Sequence, residues 1–405
     1  MKDVTETEAA GSAALPRWFE TTLLVLRRID VGRLEVVLPD GRCFLAEGSK
    51  PGPDARIEVH DDRFFARLVR DGDMGFSEGY LDGWWTSPDL QALLDVFLLN
   101  NDVVNRTVPG AALIRAYERL RHRLRANSKA GARRNISHHY DLGNAFYGLW
   151  LDPSMTYSSA LFQGQQESLA AAQLNKYAAI CDGIGVKPGD HLLEIGCGWG
   201  GFAEYAAAER GARVTALTIS REQHDFARAR IAKAGLSDRV DIVMRDYRDE
   251  RGTYDGIASI EMFEAVGERY WPVYFDTLRA CLRPGGHATL QVITIADRLF
   301  GRYRRGVDFI QKYIFPGGML PSPTALRREA GGAGLELVNS LEFGQSYSET
   351  LRRWHTTFTD HWEDVRGLGF DERFRRMWEF YLTSCAACFR AATTDVTQVT
   401  LRRPD

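Results

Sequence analysis

The sequence lacks any apolar run close to the roughly 20 residues of a membrane-spanning helix, and its start lacks the pattern of a signal peptide. Its net charge of −3 gives no overall attraction to nucleic acid. Hydrophobic residues make up 44% of the chain and charged residues 26%, a balance that excludes global disorder. We therefore expect a folded cytoplasmic protein that binds no nucleic acid.

Cysteine is scarce, since six residues are scattered along 405 without the spacing of a disulfide framework. One pair, Cys385-x-x-Cys388, has the spacing of half a redox or metal site. The sequence around it offers no second half and no nearby histidine. Buried free thiols are therefore the favoured interpretation, and we expect no metal site.

A chain of 405 residues favours two domains, or one large domain with an appendage. Residues 1–105 indicate a small α+β domain, in which a Pro-Asp-Gly turn at 39–41 predicts a hairpin. The segment from Phe64 to Val69 continues the alternating pattern of the strands before it. Helices are predicted at about 17–29, 75–83 and 88–100.

Residues 106–135 form a linker rich in basic side chains. Between Arg115 and Arg134 it carries eight arginines and lysines against one acid, Glu118. Residues 111–126 predict a helix, because their apolar positions recur at helical spacings. A solvated connecting helix and docking of 111–134 on an anionic membrane surface both fit this pattern.

From residue 190 onward, predicted strands and helices alternate as in a doubly wound, mostly parallel α/β sheet, and 136–405 form this larger domain. Ligands of such sheets bind at the carboxyl ends of the strands. A basic and aromatic insertion at about 295–325 would enclose a hydrophobic substrate there. The predicted strands span 191–195, 213–217, 240–244, 255–259 and 286–293, and the helices among them span 202–210, 221–234 and 271–281.

The segment from Leu192 to Phe202 combines an apolar strand, a glycine-dense turn and the start of a helix. Its spacing, Glu194-x-Gly196-x-Gly198-x-Gly, is neither the Gly-x-Gly-x-x-Gly of dinucleotide folds nor a P-loop. A purely structural turn is the alternative interpretation. An acid before the first glycine suits a cationic methionyl amine or a ribose better than a phosphate. The turn therefore predicts S-adenosylmethionine as the cofactor, with the helix N-terminus facing it.

Polar residues also follow the next two strands. Many enzymes that use this cofactor place an acid after the second strand for the ribose, where this chain offers Thr218 and Gln223. After the third strand, Asp246 can accept a hydrogen bond from an adenine amino group, and Tyr247 offers a stacking face. A surface loop is the alternative for either residue, but their place at a strand end favours the functional interpretation.

Two acids, Glu261 and Glu264, stand in an otherwise apolar run after the fourth strand. Burying a carboxylate without partners is costly and raises its pKa. A catalytic or ion-holding role is therefore favoured over a structural one at this position.

Several sequence segments, found together and in the same order, are typical of one group of enzyme families. It resembles cyclopropane-fatty-acid synthases and the related mycolic-acid and fatty-acid methyltransferases over nearly its whole length. The resemblance implies a Rossmann-like methyltransferase fold with a small N-terminal domain. The segments that carry it read His-Tyr-Asp-Leu at 139–142, Thr-Tyr-Ser-Ser-Ala-Leu-Phe at 156–162, Glu-Ile-Gly-Cys-Gly-Trp-Gly at 194–200, Glu-Met-Phe-Glu-Ala-Val-Gly at 261–267 and Phe-Pro-Gly-Gly-Met-Leu-Pro-Ser at 315–322.

The resemblance also implies which residues contact the cofactor. Two of them belong to a segment that covers the site, and the others lie at the ends of the first three strands. They are Tyr157 and Ser158 in the covering segment, Gly196 and Gly198 at the methionyl part, Thr218, Ile219 and Gln223 at the ribose, and Asp246 with Tyr247 near the adenine.

Cyclopropane synthases of this family hold a bicarbonate ion as the proton acceptor, with a Cys, a Glu, a His, an Ile backbone and a Tyr. On this chain the matching Glu, Ile and Tyr are Glu264, Ile293 and Tyr347. Ser159 stands in place of the Cys, and Gln291 stands in place of the His. Because glutamine carries neither charge nor a transferable proton, an anion site would keep hydrogen bonds but change in basicity.

The implied reaction is methyl transfer to the cis double bond of an unsaturated fatty acyl chain. Ser with Gln at the two departing positions also occurs in methyl-branching members of the family, including the tuberculostearic-acid type. We therefore expect a methyl- or methylene-branched product in preference to a cyclopropane. Methylation of another hydrophobic molecule and non-catalytic lipid binding are the remaining alternatives. The implied partners are phospholipid acyl chains, an anionic membrane surface, a reductase acting on the product and, by analogy, a second copy in a homodimer.

Overall fold

The structure, a computed structural model, describes residues 5–8, 14–100, 142–164 and 166–405. The predicted basic helix at 111–126 and the linker at 106–135 lie outside the described residues. None of the described helices is both long enough and apolar enough to cross a membrane.

Residues 5–100 form five strands and four helices. The strands are β1 (Thr5–Glu8), β2 (Val31–Val37), β3 (Cys43–Glu47), β4 (Lys50–Val59) and β5 (Trp85–Thr86), and the helices are α1 (Phe19–Leu26), α2 (Arg63–Asp71), α3 (Asp73–Leu81) and α4 (Leu90–Leu99).

The remainder of the described chain alternates strands and helices up to β10 and then adds an insertion and an antiparallel edge. The strands are β6 (His191–Ile195), β7 (Arg213–Thr218), β8 (Val240–Met244), β9 (Tyr254–Ile260), β10 (Leu282–Ile295), β11 (Glu336–Glu342) and β12 (Thr394–Arg402). The helices are α5 (Asn144–Gly148), α6 (Leu169–Ile184), α7 (Gly201–Arg210), α8 (Arg221–Lys233), α9 (Trp271–Cys281), α10 (Asp297–Tyr303), α11 (Pro323–Gly332), α12 (Gly344–Asp360), α13 (Trp362–Gly367) and α14 (Glu372–Arg390), with a π-helical turn at Ile310–Ile314.

Contacts within the chain divide it into two compact units. The first comprises 1–121, 306–312 and 362–391, and the second comprises 122–305, 313–361 and 392–405. The sequence predicted an N-terminal domain of 1–105 but gave no sign that two later segments belong with it. The predicted insertion at 295–325 is thus shared between the units.

The first unit contains a five-stranded sheet in the order β1-β3-β2-β4-β5. Its predicted hairpin is present: β2 and β3 pair antiparallel, and Gly41 closes the turn in the left-handed region with φ +87°. Helix α4 begins where predicted, since the Asp89 side chain accepts a hydrogen bond from the Ala92 N–H at 2.9 Å.

The strand expected from Phe64 to Val69 is wrong, because this segment belongs to helix α2. In a strand, Phe64 and Phe65 would point to opposite faces. Both are buried, and Phe65 packs edge-on against Phe19 with ring centroids 5.0 Å apart. The surrounding core can cover adjacent phenylalanines on a short helix, so tertiary packing overrides the local alternation.

The second unit contains a seven-stranded sheet in the order β11-β12-β10-β9-β6-β7-β8. Strands β6 to β10 are parallel, and β12 pairs antiparallel with both β10 and β11. This confirms the predicted doubly wound, mostly parallel class, and the predicted elements agree with the observed ones within a few residues. Buried apolar side chains cover both faces of the sheet, including Leu193 and Trp271 on one and Leu192 and Phe202 on the other.

Replacing Gly256 by alanine tests how closely helix α6 approaches the sheet. An added Cβ would lie 2.3 Å from Cγ2 of Ile184, the last residue of α6, and 3.1 Å from a methyl group of Leu192. We expect the free energy of unfolding to fall by about 1–3 kcal/mol, the usual cost of overpacking. Denaturant titration would measure the change. Gly301→Ala, whose Cβ would meet nothing within 4 Å among the described residues, is the control. Equal stability of the two variants would contradict the close approach.

Candidate active site

The glycine turn after β6 leaves space for a ligand. Gly196, Gly198 and Gly200 have φ values of +86°, +51° and +84°, a region that L side chains rarely adopt. The N–H groups of Gly196 and Cys197 both donate to the Leu217 carbonyl at the end of β7. A Cβ on Gly198 would meet nothing within 4 Å among the described residues. The turn is therefore fixed to the sheet, while none of the described residues fills the space beside Gly198.

Glu194 brings a buried carboxyl group to this turn. The residue is only 2% exposed, and its Oε2 has no hydrogen-bond partner among the described residues. Burial raises the pKa of Glu194 to about 8, although the charge of Lys176 opposes this. A buried carboxyl oxygen without a partner costs free energy that a cationic ligand would recover. The open turn and this unpartnered oxygen fit S-adenosylmethionine, whose methionyl part Glu194 and the turn would hold.

The residues expected at the ribose lie at the end of β7. Thr218 donates from Oγ1 to Oε1 of Gln223 at 3.0 Å, and both side chains are buried. Ser220 caps α8 by accepting a hydrogen bond from the Gln223 N–H at 3.3 Å. Ile219 between them is half-buried. The structure thus groups Thr218, Ile219 and Gln223 beside the glycine turn.

Asp246 at the end of β8 has a partner that the sequence did not indicate. Its carboxylate accepts hydrogen bonds from Nε and Nη2 of Arg248 at 2.8 and 2.6 Å. The same guanidinium lies 5.6 Å from the ring centroids of both Tyr247 and Tyr270. Arg248 therefore fixes Asp246 and Tyr247 relative to each other, and their contact with adenine stays a prediction.

The covering segment places Tyr157 among buried aromatic rings. Its ring centroid is 5.4 Å from that of Tyr147, 5.5 Å from Trp150 and 5.4 Å from Trp354. Phe315, in the Phe-Pro-Gly-Gly segment, lies 6.4 Å away. These rings form an aromatic wall, and aromatic faces can stabilise a nearby cation when water is excluded.

Glu261 is the group on which most of the predicted ion-binding residues converge. Its Oε1 accepts hydrogen bonds from the Ser159 N–H and from Gln291 Nε2, each at 2.8 Å. Its Oε2 accepts a hydrogen bond from the Tyr347 hydroxyl at 2.6 Å. Burial raises the pKa of Glu261, whereas the hydrogen bonds from Tyr347 and Gln291 lower it. The main-chain N–H and the amide NH₂ bond to Oε1, which accepts in either protonation state, and the Tyr347 hydroxyl is placed to donate to Oε2 when the carboxyl group is ionised.

Glu261 also adopts an unusual backbone conformation, with φ +48°. A residue other than glycine in the left-handed region is uncommon and costs free energy. Its N–H donates to the Gln291 carbonyl at 2.8 Å, which extends the pairing of β9 with β10. The chain therefore turns sharply at the end of β9 and carries the carboxylate to its three donors.

Glu264, three residues further, has a different environment. Its Oε1 accepts a hydrogen bond from the Ile293 N–H at 2.5 Å, and its carbonyl accepts one from Met319 at 2.8 Å. Its Oε2 has no partner among the described residues. Burial and then the neighbouring Glu261 raise the pKa of Glu264 to about 8. The structure therefore combines an acid that is mostly protonated at neutral pH with a carboxylate held by donors.

The structure thus separates the predicted bicarbonate ligands into two groups. Ser159, Gln291 and Tyr347 surround Glu261, while Glu264 and Ile293 bond to each other.

Among the described residues, no group of three or more His, Cys, Asp or Glu is placed to hold a metal ion, and Cys385 and Cys388 are free thiols.

Comparison with known proteins identifies the family and the fold. The profile of the family described as "Mycolic acid cyclopropane synthetase" matches residues 127–399. The chain belongs to this family. It is an S-adenosylmethionine-dependent methyltransferase, as the glycine turn predicted.

Several members of this cyclopropane synthetase family are similar over most of the chain. The tuberculostearic acid methyltransferase UfaA1 of Mycobacterium tuberculosis is 41% identical over 405 residues, covering 98% of this chain and 92% of that protein. The cyclopropane-fatty-acyl-phospholipid synthase of Escherichia coli K12 is 35% identical over 365 residues, covering 88% and 89%. The crystal structure of the mycolic acid cyclopropane synthase CmaA1 complexed with SAH and CTAB has a TM-score of 0.63 at 28% identity, covering 67% and 98%.

Cofactor binding to this synthetase-family protein is expected to release a proton from Glu194. With a pKa of about 8, Glu194 is mostly neutral at pH 7, and a bound cation favours its ionised form. Affinity for S-adenosylhomocysteine should therefore weaken as pH falls below 8, by at most about tenfold per pH unit. Calorimetry in buffers of different ionisation enthalpy would count the released protons. Glu194→Gln should abolish the release, and Glu209→Gln at an exposed position of α7 should keep it. Equal release by both variants would exclude Glu194 as its source.

Proposed function

We propose that this protein transfers the methyl group of S-adenosylmethionine to the cis double bond of an unsaturated phospholipid acyl chain and yields a methyl- or methylene-branched chain without ring closure. The observation that carries the proposal is the Glu261 carboxylate, held by Ser159, Gln291 and Tyr347. These are three of the positions that the family resemblance assigns to a bicarbonate ion.

Because Glu261 supplies a carboxylate at this place, the proposed reaction does not need a free anion. A bicarbonate ion at the same place would compete with Glu261 for the same donors and meet a like charge. Its remaining predicted ligands would be Glu264 and the Ile293 N–H, which already bond to each other. Glu261 thus replaces the ion as proton acceptor in this proposal, and bicarbonate has no required part.

Bound S-adenosylmethionine would supply an electrophilic methyl group to one alkene carbon, with the electrons of the broken S–CH₃ bond staying on S-adenosylhomocysteine. The other alkene carbon would be left as a carbocation. The aromatic wall around Tyr157 would face this charge, and aromatic rings stabilise a cation. The buried rings of Tyr147, Trp150 and Trp354 would help to keep out water, which would otherwise capture the cation as an alcohol.

The fate of the cation depends on which proton the base removes. Loss of a proton from the new methyl group closes a strained three-membered ring. Loss from the adjacent chain carbon gives a methyl-branched alkene, and after a 1,2-hydride shift loss from the methyl group gives a methylene branch. In each case the C–H electron pair forms the new bond and the proton passes to Glu261. Burial raises the pKa of Glu261 although its hydrogen bonds oppose this, and even an ordinary carboxylate is basic enough for the acidic protons beside a carbocation.

Glu264 has a separate part in this scheme. Because its pKa is raised to about 8, it is mostly neutral at pH 7 and adds little negative charge beside Glu261. Its Oε1 accepts the Ile293 N–H whether or not Oε2 is protonated. Glu264 therefore keeps β10 in place while Glu261 takes the proton.

Residues 111–134 would dock on an anionic membrane surface to reach phospholipid chains, and the protein could act as a homodimer. A saturated methyl branch would require a reductase that acts on the product.

The product decides between branching and ring closure. Branched-alkene and cyclopropane products have the same mass, so mass spectrometry after incubation with S-adenosylmethionine and dioleoyl phospholipid must be combined with proton NMR. We expect a gain of one CH₂ with retained olefinic protons. Cyclopropane methylene signals would support ring closure instead, and an unmodified chain would exclude both.

Glu261→Gln is expected to lower kcat by about 10²–10⁴-fold, the usual contribution of a general base. The amide keeps the size and the acceptor oxygen but cannot take up a proton. Glu268→Gln, on the same loop and paired with Arg304 away from this network, is the matched control and should keep its rate. Methyl transfer from labelled cofactor to lipid measures both variants. An unchanged rate in the Glu261 variant would place the proton acceptor elsewhere.

A further inference from the structure

Helix α6 carries two fully buried polar side chains, Gln173 and Lys176, one turn apart on one face. The Gln173 amide donates from Nε2 to the Ser158 carbonyl at 3.0 Å. The Lys176 ammonium donates from Nζ to the Ser158 hydroxyl at 2.7 Å. The helix therefore holds the segment that covers the site at both the main chain and the side chain of one residue.

These contacts with Ser158 also affect Glu261, through the peptide group that joins Ser158 to Ser159. Ser159 follows Ser158 directly, and its N–H donates to Oε1 of Glu261. A shift of Ser158 would move that donor, because the peptide plane between the two residues is rigid.

A second connection runs from Lys176 to Glu261 through two glutamines. Gln398 lies opposite Gln291 in the pairing of β10 with β12. Its Nε2 donates to the Lys176 carbonyl at 3.3 Å and to Oε1 of Gln291 at 3.1 Å. Since Oε1 of Gln291 is thus occupied, its Nε2 faces Glu261. Both connections fix donors of the same carboxylate.

Lys176 is also a buried positive charge among acids. Burial lowers its pKa to about 7 although the carboxylates of Glu261, Asp152 and Glu194 oppose this, so the group is mostly charged below pH 7. The neighbouring Tyr177 ring lies 4.8 Å from Nζ. Glu261 in turn interacts with the charges of Lys176 and Glu264 and accepts the hydrogen bond of Tyr347. A buried ion pair is weak evidence of a stabilising role, because replacing the whole pair by well-packed apolar residues is often neutral or stabilising.

We propose that Lys176 is a positioning residue of the methyl-transfer reaction, which fixes the covering segment through Ser158 and supplies the positive charge that balances Glu261. The inference rests on the proposed role of Glu261 as proton acceptor. The sequence analysis did not single out Lys176.

The direct readout is the protonation state of Glu261. Infrared spectroscopy measures it as the carboxylic-acid band that is missing in Glu261→Gln. Without the positive charge, Glu261 should titrate about one pH unit or more higher in Lys176→Met and in Lys176→Gln. Lys176→Arg, which keeps the charge, should leave the titration close to wild type. Lys176→Gln also serves if the Met variant fails to fold. Lys233→Met, at an exposed position of α8, is the control and should change nothing.

The hydrogen bond is tested separately by Ser158→Ala, which keeps the ammonium. Calorimetry should show affinity for S-adenosylhomocysteine weakened about threefold to tenfold, the effect of one lost hydrogen bond. Glu261 should titrate higher than in wild type, because its Ser159 donor is held less firmly, but by less than in the uncharged Lys176 variants. An unmoved Glu261 titration in both uncharged Lys176 variants would overturn the charge role, and unchanged affinity in Ser158→Ala would overturn the positioning role. If the wild-type protein methylates no lipid but the titration moves, the proposed function fails, while the charge coupling between Lys176 and Glu261 stands.

Discussion

Holding the half-buried Glu261 carboxyl group at the end of β9 is the constraint on which the rest of the site depends. A charge taken out of water must find donors and a counter-charge, or its pKa rises until it is neutral. Here the donors come from the covering segment, from β10 and from α12, which lie 102, 30 and 86 residues away along the chain. Each of these elements must therefore be in place before the carboxylate is satisfied.

The same constraint explains the second layer of polar contacts. Gln291 can present its amide to Glu261 only because Gln398 occupies its other end, and Gln398 is anchored on helix α6. A fully connected buried network of this kind fixes one arrangement of its members, since each alternative leaves a polar atom without a partner. The order of the site thus comes from hydrogen bonds to neighbours that never meet the substrate.

The sequence predicted the parallel sheet closely because strand and helix periods are strong local signals, and because the glycine turn has few alternatives. The segment at Phe64 and Phe65 was wrong for the opposite reason, since its burial is decided by distant residues such as Phe19. The sequence also placed Ser159 and Gln291 at the site through family likeness.

What the sequence did not provide is which acid these residues hold. The position of the Glu261 carboxylate depends on a left-handed backbone at that residue, which no periodicity reveals. Lys176 was missed because a single lysine in a helix is ordinarily a solvated residue. Its burial follows from packing of α6 against the sheet, which only the folded chain shows.

The division of the chain into units has a consequence for any attempt to excise the methyltransferase part. Helix α14 lies late in the sequence, yet it belongs to the first unit, where Arg390 bonds to Asp95 and Glu379 to Tyr80. A cut in the linker would strip these side chains of their partners and uncover Phe380, which packs against Phe76 and Tyr80. The N-terminal region is therefore part of the structural integrity of the chain, and not a detachable accessory.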